Sequence, residues 1–489
     1  MDDVLSGLIA IVGASQVLTG TDALPYLTDW RRQRTGRALA VVRPADTAQV
    51  ADIVRLCARH RTPIVAQGGN TGQVAAATPD ESGRAIVISL ARLNRIRAVD
   101  PANDTITVEA GCILQSVQQA AEAVDRLFPL SLGAEGSCTL GGNLATNAGG
   151  TQVLRYGNAR ELTLGLEVVT AEGEVWDGLR GLRKDNTGYD LRDLYIGSEG
   201  TLGIITAATL KLFPMPRTRH TALLACASLE QASALLTRAR ARLDASLTGF
   251  EVMGQPAVAL VLRTFAQQRL PFGAGVADAA TDATTAASAH AGAPSWYVLL
   301  ECSDTTGEAA SAGRFESVIM DEYARGTVLD AALAVSSAQQ QAFWHLRESI
   351  TLALAEQPYC VKHDISLPVS VIPAFVRDTD AALQAAHPGV RMMVFGHLGD
   401  GNLHYNLLGP VGHSRDALRA IEGAIQTLVH DRVVAAGGSI SAEQGIGSTR
   451  VAELQRYGSP VALALMRRIK QALDPHGLLN PGKVLGPDA

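Results

Sequence analysis

Hydrophobic and polar positions near the start of the chain switch between the period of a strand and that of a helix. Apolar side chains recur at i, i+3, i+4 and i+7 at Val50, Ile53, Val54 and Cys57. This spacing predicts an amphipathic helix over 46–59, with Asp46 or Thr47 as its N-cap. Short apolar runs predict strands at 40–43 and 63–66, on either side of that helix.

The same order recurs further along the chain. Residues 105–109 alternate as a strand, and a helix face follows within 114–121. Alternating apolar residues over 162–168 lead to a turn at Glu172 and Gly173, which predicts a hairpin. The β-branched run 204–206 predicts one more strand.

The pattern of predicted strands and helices changes after Pro214 and Pro216, where we predict a domain boundary. Beyond it, strand-like runs alternate with long alanine-rich helical stretches. These runs are 221–225, 296–301 and 391–395, and a last helix is predicted over 461–473. Residues 273–294 are almost entirely Ala, Gly, Thr and Asp, and we expect a surface insertion there.

Length and charge narrow the class of protein. With 489 residues the chain is too long for one compact core, and two or three domains are expected. A net charge of -6 without blocks of like charge argues against binding of nucleic acid or anionic lipid. The short basic stretch 31–37 is expected to be a solvated loop or arm.

Apolar runs and cysteines indicate the cellular location and the redox state of the thiols that we expect for this protein. No window approaches the 18 or so consecutive apolar residues of a membrane helix, so no membrane span is predicted. Asp2 and Asp3 stand where a secretory signal would carry basic residues, which favours a cytoplasmic location. The 6 cysteines are dispersed without a C-x-x-C pair, and we expect reduced, mostly buried thiols.

Three glycine-rich segments lie within one region, at 67–72, 133–150 and 197–203. Close approach of backbone N–H groups to a phosphate-bearing cofactor is the most economical common reason for them. The first segment does not have the G-x-G-x-x-G spacing of dinucleotide-binding Rossmann folds, which disfavours NAD. A near-match to the nucleotide P-loop at 477–484 fails because Val484 offers no hydroxyl to magnesium.

His397 and His404 flank a Gly-Asp-Gly sequence that suits a tight turn between two strands. Such a hairpin brings two imidazoles together, and a carboxylate could complete a site for zinc, manganese or iron. Ordinary hydrogen bonding of both histidines is the alternative. Arg347 and Thr351, one helical turn apart, could reach one ligand, although such pairs are more often on the surface.

Several of these motifs occur together in the order of a known family. The segments Gln67–Gly72, Gly141–Gly150, Lys184–Asp190 and Gly197–Gly203 resemble the FAD domain of the vanillyl-alcohol oxidase superfamily. The segments Gly396–His404 and Ser441–Gly447 resemble its branch of D-2-hydroxyglutarate and D-lactate dehydrogenases. The resemblance covers about residues 40–484. It implies an α+β fold with a PCMH-type FAD-binding domain at 1–216, a cap or substrate domain at 217–440, and a C-terminal segment at 441–489 that returns to the flavin.

The resemblance also implies the residues that hold the cofactor. The positions carried over to FAD binding are Gln67, Gly68, Gly69, Asn70, Thr71, Gly72, Leu132, Gly136, Ser137, Gly141, Gly142, Asn143, Thr146, Asn147, Gly149, Gly197, Glu199, Gly200, Gly203, Ile204, Ile205 and Asn480. Some members attach FAD through a histidine in the first loop. Asn70 stands in that neighbourhood and cannot form the bond, so we predict non-covalent FAD.

For catalysis, the resemblance implies that His397, His404 and Glu443 hold a divalent metal, Zn²⁺ first among the candidates. It implies further that the substrate carboxylate is held by Arg347, Thr351 and Lys362, with Asn406 as an added contact. The family's A-E-H-G motif carries a histidine as its usual base, and Gln444 replaces it here. An amide cannot accept a proton at physiological pH, so His363 or a metal-activated water is needed instead.

The predicted activity is the oxidation of a D-2-hydroxy acid, such as D-2-hydroxyglutarate or D-lactate, by hydride transfer to FAD. Because the chain has no cysteine clusters for an iron–sulfur relay, electrons must leave to an external acceptor. By resemblance, this is an electron-transfer flavoprotein or a quinone-linked carrier. Gln444 leaves a catalytically silent FAD subunit of a larger complex as the alternative, and oxygen as the acceptor is a third possibility. The sequence leaves open whether the protein is a homodimer.

Overall fold

The structure of this protein is a computed structural model that describes residues 2–272 and 294–486. The insertion predicted over 273–294 lies, except for Pro294, outside the described residues. The chain divides into two compact units. The first comprises Met1–Gly150, Tyr156–Met215 and Glu443–Ala489, and the second comprises Thr151–Arg155 and Pro216–Ala442.

The first unit contains three sheets. A four-stranded sheet has the order β1-β2-β4-β3, a five-stranded antiparallel sheet has the order β5-β6-β10-β8-β9, and β11 pairs with β7. The strands are β1 Val17–Leu18, β2 Ala40–Val42, β3 Ile64–Gln67, β4 Ile86–Ser89, β5 Ile96–Asp100, β6 Thr105–Glu109, β7 Arg126–Leu127, β8 Thr163–Val169, β9 Val175–Gly178, β10 Ile204–Lys211 and β11 Phe213–Pro214. Parallel pairing of β2 and β3 with β4 requires crossover connections, and the first of these is the predicted amphipathic helix.

Six α-helices lie within residues 2–195. They are α1 Asp2–Val12, α2 Thr47–His60, α3 Leu114–Glu122, α4 Leu140–Ala145, α5 Val153–Tyr156 and α6 Arg192–Tyr195, and all but the last residue of α5 belongs to the second unit. The helix predicted over 46–59 is confirmed as α2, because the Asp46 carboxylate accepts a hydrogen bond from the Gln49 N–H at 2.9 Å and so caps it. The strand predicted at 105–109 and the hairpin from 162 to 178 are confirmed as well.

The second unit is built on one seven-stranded antiparallel sheet with the order β15-β12-β14-β13-β17-β18-β16. Its strands are β12 Thr218–Cys226, β13 Leu247–Gly254, β14 Trp296–Asp304, β15 Asp330–Leu333, β16 Asp364–Ser366, β17 Arg391–His397 and β18 Asn402–Leu408. The strands predicted at 221–225, 296–301 and 391–395 are confirmed within β12, β14 and β17.

Helices of the second unit follow most of its strands. They are α7 Leu229–Leu243, α8 Gln255–Thr264, α9 Glu308–Ala324, α10 Ser337–Ala355, α11 Ile372–Ala386 and α12 Arg415–Ala435. One buried cluster joins the sheet to α8 and α10 through residues such as Met253, Leu299, Phe395 and Ile350. Helices α13 Val451–Tyr457 and α14 Pro460–Leu473 belong to the last segment of the first unit, and α14 is the helix predicted over 461–473.

Two simpler expectations can be compared with the described residues. All six cysteines are buried and none forms a disulfide, as predicted. Burial raises the pKa of the Cys57 thiol to about 12, so this cysteine is an inert core residue at neutral pH. Among the helices of residues 2–272 and 294–486, none has the length and apolar character that a bilayer crossing requires.

Candidate active site

A glycine-lined cleft lies in the first unit, where the segments after β3, before α4 and before β10 meet. It encloses about 870 Å³ of empty space, part of which is open to solvent. The predicted cofactor residues that line it are Gln67, Gly68, Gly69, Asn70, Thr71, Gly72, Gly141, Gly142, Asn143, Thr146, Glu199, Gly200, Gly203, Ile204 and Ile205. Segments that are far apart in sequence therefore form one concave surface.

The glycines at 68, 69 and 141 are required by packing within the protein. A Cβ at Gly69 would lie 2.2 Å from the carbonyl oxygen of Ser137, and one at Gly68 would lie 2.2 Å from Thr139 Oγ1. A Cβ at Gly141 would lie 2.7 Å from the Cβ of Ala110. Packing between neighbouring segments is therefore a further reason for these glycines, and their expected close approach to a cofactor stays a prediction.

The surface of the cleft fits a polar, extended ligand such as a dinucleotide. A Cβ at Gly72, which lines the cleft, would meet no atom within 4 Å, so this position has room for a ligand. The Thr139 hydroxyl also lines the cleft and is buried without a hydrogen-bond partner among the described residues. A buried hydroxyl normally has such a partner, and a bound cofactor could supply it.

Seven of the predicted cofactor residues do not line the cleft. They are Leu132, Gly136, Ser137, Asn147, Gly149, Gly197 and Asn480. Two of them still support its wall: Ser137 contacts the first glycine loop as described, and Asn480 Nδ2 donates to the backbone oxygens of Glu199 and Ala76 at 2.7 and 3.0 Å.

Glu199 binds backbone groups of the C-terminal segment. Its two carboxylate oxygens accept hydrogen bonds from the N–H groups of Ile446 and Gly447, at 2.8 and 2.7 Å. Burial raises the pKa of Glu199, although the two N–H groups act in the opposite direction. This carboxylate therefore fixes the loop that follows Glu443 and Gln444.

A row of polar side chains crosses one face of the second unit's sheet. Glu251 on β13 lies directly opposite His397 on β17, and Asp364 on β16 lies opposite His404 on β18. Because Phe395 is the cross-strand partner of His404, the two histidines are diagonal neighbours on one face. Their ring centroids are 5.6 Å apart, so the predicted hairpin does bring the imidazoles together.

Glu251, which sequence reasoning missed, connects two predicted site residues. Its Oε1 accepts a hydrogen bond from His397 Nδ1 at 2.7 Å, and its Oε2 accepts one from Arg347 Nε at 2.8 Å. Arg347 Nη2 forms an ion pair with the same oxygen at 2.8 Å. Burial opposes the charged carboxylate, but the positive partners outweigh it and lower the pKa of Glu251 below its ordinary value. The Arg347 guanidinium also lies 4.9 Å from the ring centre of Phe395.

The predicted metal ligands form a cluster. His397, His404 and Glu443 each offer a ligand atom, and these atoms lie within 4.8 Å of one another. Glu443 directly follows Ala442, whose N–H donates to the carbonyl oxygen of Asp364 on β16. Burial lowers the pKa of His404 to about 3, so this imidazole is neutral at pH 7, as a metal ligand must be. Two imidazoles and one carboxylate fit zinc and leave one position for a substrate.

The residues predicted to bind the substrate carboxylate lie on α10 (Arg347 and Thr351) and just before β16 (Lys362). Arg347 is only 6% exposed, so the surface interpretation is wrong for this residue. Thr351 follows one turn later on the same helix. Val361 lies opposite Leu407, and Asp364 lies opposite His404, so the register sets Lys362 level with Asn406.

His363 points to the other face of the sheet. Its Nδ1 lies 2.8 Å from the carbonyl oxygen of Tyr405, and its ring packs edge-on against His430 of α12. Successive side chains of a strand alternate between faces, so His363 faces away from the side that carries Asp364 and His404. The proposal that His363 replaces the missing base therefore has no support from its placement.

Gln444 has a partner that was not foreseen. Its Oε1 accepts a hydrogen bond from Arg450 Nη2 at 3.0 Å. The amide side chain at this position is therefore oriented by a partly buried guanidinium six residues later in the chain.

Two family models of known proteins match this chain. A model of the FAD binding domain matches residues 38–178, and a model of the C-terminal domain of FAD linked oxidases matches residues 215–484. The mitochondrial D-2-hydroxyglutarate dehydrogenase of Bos taurus is 37% identical over 489 residues, covering 99% of this chain and 84% of that protein. D-2-hydroxyglutarate dehydrogenase of Xanthomonas citri pv. viticola is 39% identical over 462 residues, covering 94% of this chain and 92% of that protein.

Two solved structures share the fold. p-Cresol methylhydroxylase with bound substrate superposes with a TM-score of 0.77 at 16% identity, covering 99% of this chain and 96% of the other. 4-Ethylphenol oxidase from Gulosibacter chungangensis gives a TM-score of 0.72 at 19% identity, with coverage of 99% and 96%. At these identities the likeness concerns the fold alone, and it confirms the predicted α+β, PCMH-type architecture.

Fold and domain matches together define an FAD-dependent oxidoreductase, so the predicted enzyme class and cofactor are confirmed. The chain belongs to the family of FAD-linked oxidases whose curated members include the D-2-hydroxyglutarate dehydrogenases. Some of these relatives are named mitochondrial and others, from bacteria, are not. The cytoplasmic location expected from the sequence therefore stays a prediction.

Proposed function

We propose that this protein oxidises D-2-hydroxyglutarate, or a D-2-hydroxy acid closely related to it such as D-lactate, to the corresponding 2-keto acid. The observation that carries this proposal is the cluster of His397, His404 and Glu443, whose ligand atoms lie within 4.8 Å of one another. Glu251 joins that cluster to the buried Arg347, so a metal and a substrate carboxylate would bind on one sheet face. The relatives named D-2-hydroxyglutarate dehydrogenase support the choice of substrate.

His397, His404 and Glu443 would hold the metal, for which Zn²⁺ is the first candidate. When bound, the metal supplies a Lewis acid that lowers the pKa of an alcohol, and FAD supplies a two-electron oxidant. The net reaction removes a hydride from C2 and a proton from the hydroxyl group. Glu443 would be the one carboxylate among the three ligands, so a divalent ion held there would keep positive charge that favours loss of the hydroxyl proton.

Arg347 provides the main recognition of the substrate carboxylate. Glu251 accepts from Nε and pairs with Nη2, so the Nη1 group and the outer N–H of Nη2 would be the donors for the substrate. Because Glu251 holds the guanidinium in place, little conformational entropy is lost when a carboxylate binds. Thr351 and Lys362 would complete the clamp, with Asn406 beside Lys362.

The hydroxyl proton passes to water in this proposal. Gln444 has no basic form, and the His363 ring faces the other side of the sheet. Arg450 holds the Gln444 carbonyl oxygen, so we assign to Gln444 a role in shaping the site rather than in proton transfer. Transfer of the proton to water, without Gln444 or His363 as the base, predicts slow reduction of the flavin.

FAD is proposed to be dissociable. The Asn70 amide, at the position where some relatives form a covalent bond, donates to the backbone oxygen of Thr28 at 2.8 Å. Electrons would leave reduced FAD to an external carrier, either an electron-transfer flavoprotein or a quinone-linked protein. Acid precipitation tests the first point, since dissociable FAD appears in the supernatant and covalently bound FAD stays with the pellet.

Anaerobic mixing tests the proposed reaction. Purified protein is loaded with FAD and Zn²⁺, and D-2-hydroxyglutarate, D-lactate and their L-enantiomers are added separately. Loss of the visible flavin band with a D-acid, and not with its L-enantiomer, is the expected result. If no D-acid reduces the flavin of a protein that contains both FAD and metal, the proposed function is wrong. That outcome would favour the catalytically silent subunit, which Gln444 makes the main alternative.

A further inference from the structure

Glu251 is placed where one side chain contacts both the predicted metal ligand His397 and the predicted substrate-binding residue Arg347. It lies on β13, it is 1% exposed, and its two oxygens serve different partners. Oε1 accepts from His397 Nδ1, and Oε2 accepts from Arg347. Among the described residues, the hydrogen bonds of this side chain go to His397 and Arg347.

The contact with His397 determines which ring nitrogen is available to a metal. Glu251 is paired with the Arg347 guanidinium, and both of its carboxylate oxygens face N–H donors, so it acts as an acceptor toward His397. The proton of the neutral imidazole must therefore reside on Nδ1, and the lone pair is left on Nε2. Carboxylates that bind metal-ligating histidines in this manner fix both the tautomer and the orientation of the ring.

The contact with Arg347 determines where the guanidinium points. Nε donates to Glu251 Oε2, Nη2 lies 2.8 Å from the same oxygen, and the guanidinium lies 4.9 Å from the centre of the Phe395 ring. The Nε side of the guanidinium is thus fixed by Glu251, and the Nη1 end would be the part that binds an incoming carboxylate.

We propose that Glu251 is a positioning residue that holds the side chains of the metal ligand His397 and the substrate-binding Arg347 in fixed positions relative to each other. This inference rests on the proposed function and adds to it a coupling: a change at Glu251 weakens metal binding and substrate binding together. Glu251 touches neither ligand itself. Its sequence context, an acidic residue among Phe250, Val252 and Met253, gives no sign of this role.

Replacement of Glu251 by glutamine tests the coupling, because the amide keeps the volume but can accept on one side only. Zinc affinity is measured by competition with a chromophoric zinc chelator on the FAD-loaded protein. The expected weakening is about 10- to 100-fold, the range for partners of metal-ligating histidines. At saturating Zn²⁺ the KM for D-2-hydroxyglutarate is expected to rise by about 10-fold, since excess metal does not reposition Arg347.

Glu251→Asp is the second variant, used in case the glutamine protein does not fold. It retains the buried negative charge beside Arg347, but a side chain one methylene shorter cannot reach both partners. We expect the same two losses in smaller degree. The FAD content, measured from the visible spectrum, should equal that of the wild type in both variants.

Glu301→Gln is the matched control. Glu301 is a carboxylate on the adjacent strand β14, 3% exposed, and it accepts a hydrogen bond from Trp344 on the same helix α10 as Arg347. It has no contact with His397 among the described residues. The control should keep the zinc affinity and the KM of the wild type even if its melting temperature falls.

Three outcomes separate this inference from the proposed function. If the wild-type protein binds no zinc, both the proposed function and the positioning role of Glu251 are refuted, and no variant is needed. If the wild type binds zinc but is not reduced by a D-acid, the proposed function fails, and the zinc affinity of Glu251→Gln decides the positioning role. If the wild type passes both tests while Glu251→Gln retains its zinc affinity and KM, or Glu301→Gln loses them equally, the positioning role of Glu251 is refuted.

Discussion

Replacing Asp380 by asparagine is expected to stabilise the protein at neutral pH. Asp380 lies on α11, where it accepts a hydrogen bond from the hydroxyl of Tyr405, the residue between His404 and Asn406 on β18. Burial raises the pKa of Asp380 from 3.8 to about 6, and the hydrogen bond from Tyr405 only partly opposes this. The native fold therefore disfavours the charged carboxylate that is present at pH 7.5.

The sign and size follow from the two pKa values. A carboxyl group with a raised pKa in the folded state destabilises the fold above that pKa, and the penalty disappears as the pH falls below the unfolded value. A difference of about two pKa units corresponds to about 3 kcal/mol at pH 7.5 and to roughly half of that at pH 5. Asparagine can still accept from the Tyr405 hydroxyl, so Asp380→Asn should recover most of this energy.

Thermal melting of the FAD-loaded protein at pH 7.5 and pH 5 is the assay. For a domain of 150–250 residues, 1 kcal/mol shifts the Tm by about 2–4 °C, so a rise of several degrees is expected at pH 7.5. The rise should be clearly smaller at pH 5. Asp378→Asn, at a neighbouring exposed position on the same helix, serves as the control. A lower Tm for Asp380→Asn at pH 7.5, or the same increment at both pH values, would show that burial of this charge is not the cause.

Three further predictions concern the site itself. Gln444→His should accelerate anaerobic flavin reduction by D-2-hydroxyglutarate by about 10²-fold, the lower end for a general base, and an unchanged rate in stopped-flow absorbance would show that the proton is not limiting. His404→Gln should remove the bound zinc, as measured by elemental analysis, and should prevent reduction of the flavin by the D-acid, while FAD remains bound. A variant that retains its full zinc content would contradict the ligand assignment. Gly69→Ala should lower the Tm and the FAD content, because overpacking against Ser137 costs about 1–3 kcal/mol, whereas Gly133→Ala, with open space around it, should change neither.

Local patterns were sufficient to predict much of the secondary structure. The helix after Asp46 and the strand at 105–109 were identified because helical spacing, strand alternation and a capping residue are all encoded within about fifteen residues. The two histidines were paired because a short turn brings neighbouring strands together. Interactions of this range can be read from one stretch of sequence.

The parts that were missed depend on the register of distant segments. Glu251 meets His397, 146 residues later, only because β13 and β17 are neighbours in the sheet, and no local pattern encodes that pairing. The burial of Arg347 follows from the same partner. The glycines at 68 and 69 were attributed to a cofactor because their crowding against the loop at 137–139 is visible only in three dimensions.

The hydrogen bonds of Glu199 bear on how the protein is made. A ribosome exposes this carboxylate long before it synthesises Ile446 and Gly447, which are 247 and 248 positions downstream. Since an unsatisfied buried carboxylate is costly, the nascent flavin domain cannot close in its final form while those residues are missing. The final environment of this carboxylate therefore forms only after nearly the whole polypeptide has been synthesised.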